Sequence, residues 1–158
     1  MNYMKYLPMD LANGPGVRCT LFVSGCEHNC KGCYNQKAMR PDAGHQFTQE
    51  LYDRIIADLK NEKHPLQGIS FSGGDPMHPA NIQGIIHICK KIRRECPDKD
   101  IFLWTGYTLE EIRRDGFREE LFKLCNTCIT DRFVEELKDL SLPYSGSTNQ
   151  RVIKVRNV

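Results

Sequence analysis

Thr20-Leu21-Phe22-Val23-Ser24-Gly25-Cys26-Glu27-His28-Asn29-Cys30-Lys31-Gly32-Cys33-Tyr34 joins an apolar run to a loop that carries three thiols. The β-branched and aromatic residues from Val17 to Ser24 predict a buried strand over residues 17–24. Gly25 ends it, and the cysteines follow at C-x3-C-x2-C spacing. A loop this short can wrap one compact metal centre, yet it holds no fourth thiol of its own.

Outward from the loop, helical and strand patterns alternate. Thr48 caps a helix predicted over about 49–62, with Leu51, Ile55, Ile56 and Leu59 on one face. Ile69-Ser70-Phe71 is a short strand running into Ser72-Gly73-Gly74-Asp75-Pro76. A second helix over about 79–95 carries the stripe Ile82, Ile85, Ile86, Cys89 and Ile92, and Cys96-Pro97 stops it. Residues 101–104 form a third strand, which ends at Thr105-Gly106. Thr108 and Glu111 make a capping box for a third helix, which Gly116 splits. Residues 127–130 are a fourth strand ending at Asp131. Residues 1–16 read as irregular, and so does the tail from about 142, although 152–155 can pair as an edge strand.

This alternation predicts one α/β domain over 1–158 with parallel βαβ units. At about 30 residues per unit there is room for about five, too few for a closed eight-unit barrel. The expected fold is therefore an incomplete, open α/β barrel with a largely parallel, curved sheet. In such sheets ligands bind at the carboxyl ends of the strands. The Cys loop, Gly73-Gly74-Asp75, Trp104-Thr105-Gly106-Tyr107 and Asp131 all sit at such ends and should converge.

Composition narrows the class. A chain of 158 residues folds without staples, burying about 68–70% of its unfolded surface. Net charge of +2 supports neither nucleic acid nor membrane as a partner. The N-terminus has no apolar signal-like region, and no apolar run approaches the roughly 18 residues of a membrane span. The expected compartment is the cytoplasm, where eight cysteines argue for metal ligation over disulfides. Lys90-Lys91-x-Arg93-Arg94 reads as a solvated helix face, with a patch for an acidic electron-donor protein as the other reading.

Cys26, Cys30 and Cys33 suit either an iron–sulfur cluster with one open iron or a zinc site closed by another ligand. His28 lies too close in sequence to close the same centre without strain. Cys125-x2-Cys128 pairs with Cys30-x2-Cys33 on paper, but zinc ribbons bring such pairs together over about 15–20 residues, and most of the domain intervenes here. Cys19, Cys89 and Cys96 read as core residues. Gly73 and Gly74 admit a close backbone approach to a ligand, and Asp75 can receive a ligand ammonium. Tyr34 offers a ring to a planar base, or else packs beneath the loop.

Cys26-x3-Cys30-x2-Cys33-Tyr34 resembles the signature of the radical S-adenosylmethionine enzymes, and Ser72-Gly73-Gly74-Asp75-Pro76 resembles their glycine-rich motif, with Asp where many members have Glu. Asn13-Gly14-Pro15-Gly16, Thr20–Cys26, Trp104–Tyr107 and Gly146-Ser147-x-Asn149-Gln150 resemble strings of the family that activates anaerobic ribonucleoside-triphosphate reductases. The resemblance implies a 4Fe–4S cluster on Cys26, Cys30 and Cys33. S-adenosylmethionine would be held by Gly32, Cys33, Tyr34, Gly73, Gly74 and Asp75. It implies reductive cleavage of that cofactor and abstraction of a glycine Cα hydrogen, with no side chain acting as acid or base. The implied partners are the reductase large subunit and a flavodoxin or ferredoxin donor. Cys125-x2-Cys128 lies outside the family signature, and Arg132 stands where a small residue is expected. Activation of another glycyl-radical enzyme and a zinc-stabilised binding module are the competing readings.

Overall fold

A computed structural model describes residues 1–156. The elements run β1 (Asn2–Asp10), β2 (Arg18–Val23), β3 (His45–Gln46), α1 (Gln49–Leu59), β4 (Gly68–Gly73), α2 (Ile82–Glu95), β5 (Asp100–Trp104), α3 (Leu109–Arg113), α4 (Gly116–Leu124), β6 (Thr127–Thr130) and β7 (Arg151–Lys154). Among the described residues, one seven-stranded sheet has the order β3-β1-β2-β4-β5-β6-β7.

The sheet is mixed. Its centre, β2-β4-β5-β6, is parallel, with Leu21 opposite Phe71, Ile69 opposite Ile101, and Leu103 opposite Cys128. Both flanks are antiparallel: β1 on β2, β3 on β1, and β7 on β6. This corrects the expectation of an open barrel of about five βα units with a largely parallel sheet. Helical crossovers join β2 to β4, β4 to β5 and β5 to β6. No α-helix joins β1 to β2 or β6 to β7, and these neighbours pair antiparallel, with the short β3 as the edge beside β1. A second correction concerns residues 1–16. They are not irregular, because Asn2–Asp10 is a strand whose Tyr6 pairs with Leu21 and Leu7 with Thr20.

Local signals explain the helices. Thr48 Oγ1 accepts the Leu51 N–H at the start of α1, and Thr108 with Glu111 forms a complete capping box at α3. Asp115, rather than Gly116 alone, separates α3 from α4, since its carboxylate caps the N–H groups of Phe117 and Arg118. One face of the sheet takes the apolar sides of the helices. Cys19, Leu21, Ile69, Phe71, Ile101, Leu103 and Cys128 join Leu51, Ile55, Leu59, Ile85, Ile92 and Leu121 in a single core. A fully buried Ile in that core contributes about 1.5–3 kcal/mol.

Phe102 is buried outside that core, on the sheet's other face. There the Arg18 guanidinium lies 5.2 Å from its ring centroid. Arg18 is fully buried, pairs with Asp100, and donates to Ser70 Oγ at 2.7 Å and to the Pro15 carbonyl at 2.7 Å. The turn through Gly14-Pro15-Gly16 therefore caps a buried cation.

The basic run on α2 is committed to its own chain. Lys90 pairs with Glu120 at 2.5 Å, Lys91 sits 5.0 Å from the Tyr52 ring, Arg93 donates to the Leu124 carbonyl at 2.8 Å, and Arg94 pairs with Glu95 at 3.2 Å. No helix among the described residues is long and apolar enough to cross a membrane.

Candidate metal centre

The loop after β2 turns back on itself through three unusual backbone positions. Gly25 has φ of 100°, Asn29 has φ of 52° and Gly32 has φ of 74°. Asn tolerates the left-handed region better than most side chains, which lets the span from Cys26 to Cys30 turn within three residues. Asn35 N–H donates to Cys33 Sγ at 3.3 Å. Burial pushes the Cys26 thiol up to about 11, with the His28 amide opposing it, and burial likewise raises Cys30 against the Phe133 amide.

The glycine-rich turn after β4 is stitched to that loop. Gly74 N–H donates to the Val23 carbonyl at 2.7 Å and Asp75 N–H to the Gly25 carbonyl at 2.7 Å. A Cβ on Gly74 would lie 2.5 Å from the Gly25 carbonyl oxygen, so only glycine allows this backbone-to-backbone approach. Asp75 itself is 1% exposed. Its carboxylate accepts from Met77 N–H at 2.8 Å, Thr105 Oγ1 at 2.9 Å, Gly106 N–H at 2.9 Å and His28 Nε2 at 2.7 Å.

The loops at the ends of β2, β4, β5 and β6 meet as expected. Cys26, Cys30, Cys33, Gly73, Gly74, Asp75, Trp104 and Asp131 line one cavity of about 160 Å³. It shares Cys33, Asn35 and Gly73 with a neighbouring cleft of about 670 Å³ that also takes in Tyr34, Met4, Leu7 and Phe22. Tyr34 is 83% exposed, which removes the packing role beneath the loop. Gly32 sits at the loop's outer bend against the Glu135 side chain. Arg132 turns away to Glu111, with nitrogens 2.9 and 3.1 Å from its carboxylate oxygens.

Residues 12–153 match the family model of a 4Fe-4S single cluster domain. The anaerobic ribonucleoside-triphosphate reductase-activating protein of Vibrio cholerae serotype O1 is 51% identical over 150 residues, 95% of this chain and 96% of that protein. That of Escherichia coli K12 is 49% identical over 156 residues, covering 99% and 100%. The chain belongs to this family. Even the activating protein of Enterobacteria phage T4 is 37% identical over 152 residues, covering 96% of this chain and 93% of its own.

The residues present fit the family's cluster. Three free thiols border one small cavity, and thiolates are the ligands of iron–sulfur clusters. The other five cysteines are buried away from it: Cys19, Cys89, Cys96, Cys125 and Cys128 all lie in the apolar core. Cys125 and Cys128 therefore belong to the packing between α4 and β6, and the zinc pairing with Cys30 and Cys33 is set aside. Sequence reading brought Trp104-Thr105-Gly106-Tyr107 to the site but missed its specific contacts, Thr105 with Asp75 and Tyr107 with Glu27. Their only sequence signal is the Trp104–Tyr107 string, whose partners are far away in the chain.

Proposed function

We propose that this chain installs the glycyl radical of an anaerobic ribonucleoside-triphosphate reductase. Cys26, Cys30 and Cys33 hold a 4Fe–4S cluster, and S-adenosylmethionine lies against Gly32, Cys33, Tyr34, Gly73, Gly74 and Asp75. The observation that carries the reading is the count at the site: three thiols and no fourth cysteine among the described residues lining the cavity. Cys26, Cys30 and Cys33 would hold the cluster, which would supply the one-electron reduction of S-adenosylmethionine needed to remove a glycine Cα hydrogen from the reductase.

The chain's own groups bind and orient. The Asn35 amide orients the Cys33 thiol. Gly73 and Gly74 bring backbone to the cavity wall, and the exposed Tyr34 ring, with the Lys138 ammonium 5.4 Å from its centroid, borders the larger cleft where adenine would lie. Asp75 serves through what it already holds, because four protein donors occupy its carboxylate. The cleft opens beside Cys33, where a glycine loop of the reductase large subunit can reach. A flavodoxin or ferredoxin supplies the electron.

Anaerobic reconstitution with iron and sulfide tests this. The loaded protein should show thiolate-to-iron charge-transfer absorption and cleave S-adenosylmethionine after reduction, and Cys30→Ala should abolish cleavage while the chain still folds. Cleavage that survives Cys30→Ala sinks the reading.

A further inference from the structure

Glu27 and His28, the two residues that follow Cys26, are held by groups on a different strand end. His28 Nε2 donates to Asp75 Oδ2 at 2.7 Å, and both side chains are nearly sealed from solvent. The ring also meets Tyr107 edge-on, with centroids 4.5 Å apart. A Cβ on Gly106 would collide with the His28 ring, so the glycine of Trp104-Thr105-Gly106-Tyr107 makes the space in which that ring sits. Glu27 accepts a hydrogen bond from the Tyr107 hydroxyl. The Arg118 guanidinium stacks 3.8 Å from the Tyr107 ring centroid. Asp75 is fixed in turn by Thr105 and Gly106.

The geometry points to His28 and Tyr107 as positioning residues for the metal centre. They clamp the span between Cys26 and Cys30 so that these two thiols are placed before any iron arrives. A bland alternative is that the pair merely fills the core. That reading fits poorly, because a buried His–Asp pair is costly to bury, and packing alone needs only an apolar side chain of similar size. A clamp explains why the polar contacts fall on the two residues next to Cys26, and why the string that supplies them contains a glycine at its closest approach. Loss of such supporting contacts typically weakens metal retention by about 10–100-fold.

The proposal rests on Cys26, Cys30 and Cys33 being the cluster ligands, and its test separates the two ideas. In the metal-free full-length protein, alkylation by iodoacetamide is followed at each cysteine by mass spectrometry. His28→Ala should speed modification of Cys26 and Cys30 about tenfold, leaving Cys33 and the five core cysteines at wild-type rates. This outcome needs no cluster, so it stands or falls apart from the functional reading. In the reconstituted protein, His28→Ala should lose iron to a chelator about 10–100-fold faster. His28→Gln, whose amide can still donate to Asp75, should recover most of that loss. Tyr107→Phe, which removes only the hydroxyl, is the milder second variant if His28→Ala fails to fold, and it should speed Cys26 alkylation and iron loss in the same direction. Unchanged alkylation and iron loss in Tyr107→Phe, with His28→Ala either unchanged or faster at all eight cysteines together, overturns the clamp and leaves a packing role.

Discussion

The backbone N–H of Asp75 donates to the carbonyl of Gly25 at 2.7 Å, which fastens the turn after β4 to the residue immediately before Cys26. Two motifs far apart in the chain thus share one rigid floor. Gly74 lies at the centre of it.

Gly74→Ala should therefore be felt at both motifs. The new Cβ would stand 2.5 Å from the Gly25 carbonyl oxygen and 3.0 Å from that of Ala38, and neither backbone oxygen can swing aside as a side chain end can. The expected cost is about 1–3 kcal/mol, read as a lower urea midpoint. Equilibrium dialysis of the reconstituted variant should also show weakened S-adenosylmethionine binding. Wild-type stability and affinity together would mean that the floor yields more easily than its contacts imply.

Arg18 and Asp100 make a second prediction, at the opposite end of the strands. Asp100→Asn leaves a fully buried guanidinium with only neutral partners, at an expected cost of about 3–5 kcal/mol. The double change Arg18→Met with Asp100→Leu removes both charges and should cost much less than Asp100→Asn alone. Chemical denaturation of the three proteins measures this. A double variant as unstable as the single one would show that the pair is worth more than its desolvation.

Apart from the two-residue β3, which was read as connection, the strands and helices between β2 and β6 were legible because each carries its own local signal. The stripe Ile82, Ile85, Ile86, Cys89 and Ile92 repeats at helical spacing, and Thr108 with Glu111 marks a helix start. β1 was not legible. Asn2-Tyr3-Met4-Lys5-Tyr6-Leu7-Pro8-Met9-Asp10 contains a proline and mixes polar with apolar residues, and pairing with β2 supplies the order that its own pattern lacks. Direction of pairing is likewise non-local, so the edge strand expected over 152–155 carried no mark of its antiparallel pairing with β6. At the site, the thiols announced themselves by spacing. The contacts of His28 with Asp75 and of Glu27 with Tyr107 join positions that no sequence window contains.

Cys128 tests the core assignment of the downstream pair. Its thiol is fully buried on β6, and burial drives its ionisation well above the ordinary range, so it is a poor metal ligand where it stands. Cys128→Ser should cost about 1–3 kcal/mol by placing a hydroxyl in an apolar site. Iron and sulfide per chain after reconstitution should equal the wild-type values. A fall in either, in a variant that is still folded, would return this pair to the metal centre.

Glu111 carries the acid-dependent part of the region beside the site. Its carboxyl is held down to about 2 from an ordinary 4.5, chiefly by the Arg132 guanidinium and then, against some desolvation, by the Thr108 N–H. A depressed folded-state value means that ionised Glu111 stabilises the fold in full above about 4.5, and that this contribution fades as pH falls toward 2. Both side chains are more than a third exposed, so solvent screening limits the pair to under about 1 kcal/mol. Arg132→Ala should therefore lower the melting temperature slightly near neutral pH, by an amount that shrinks to nothing as pH falls through that window. Thr108 keeps its capping contact in the variant, so a residual acid dependence from Glu111 should persist. A gap between the two proteins that stays constant from neutral pH to pH about 2 would assign the Arg132 effect to packing rather than to charge.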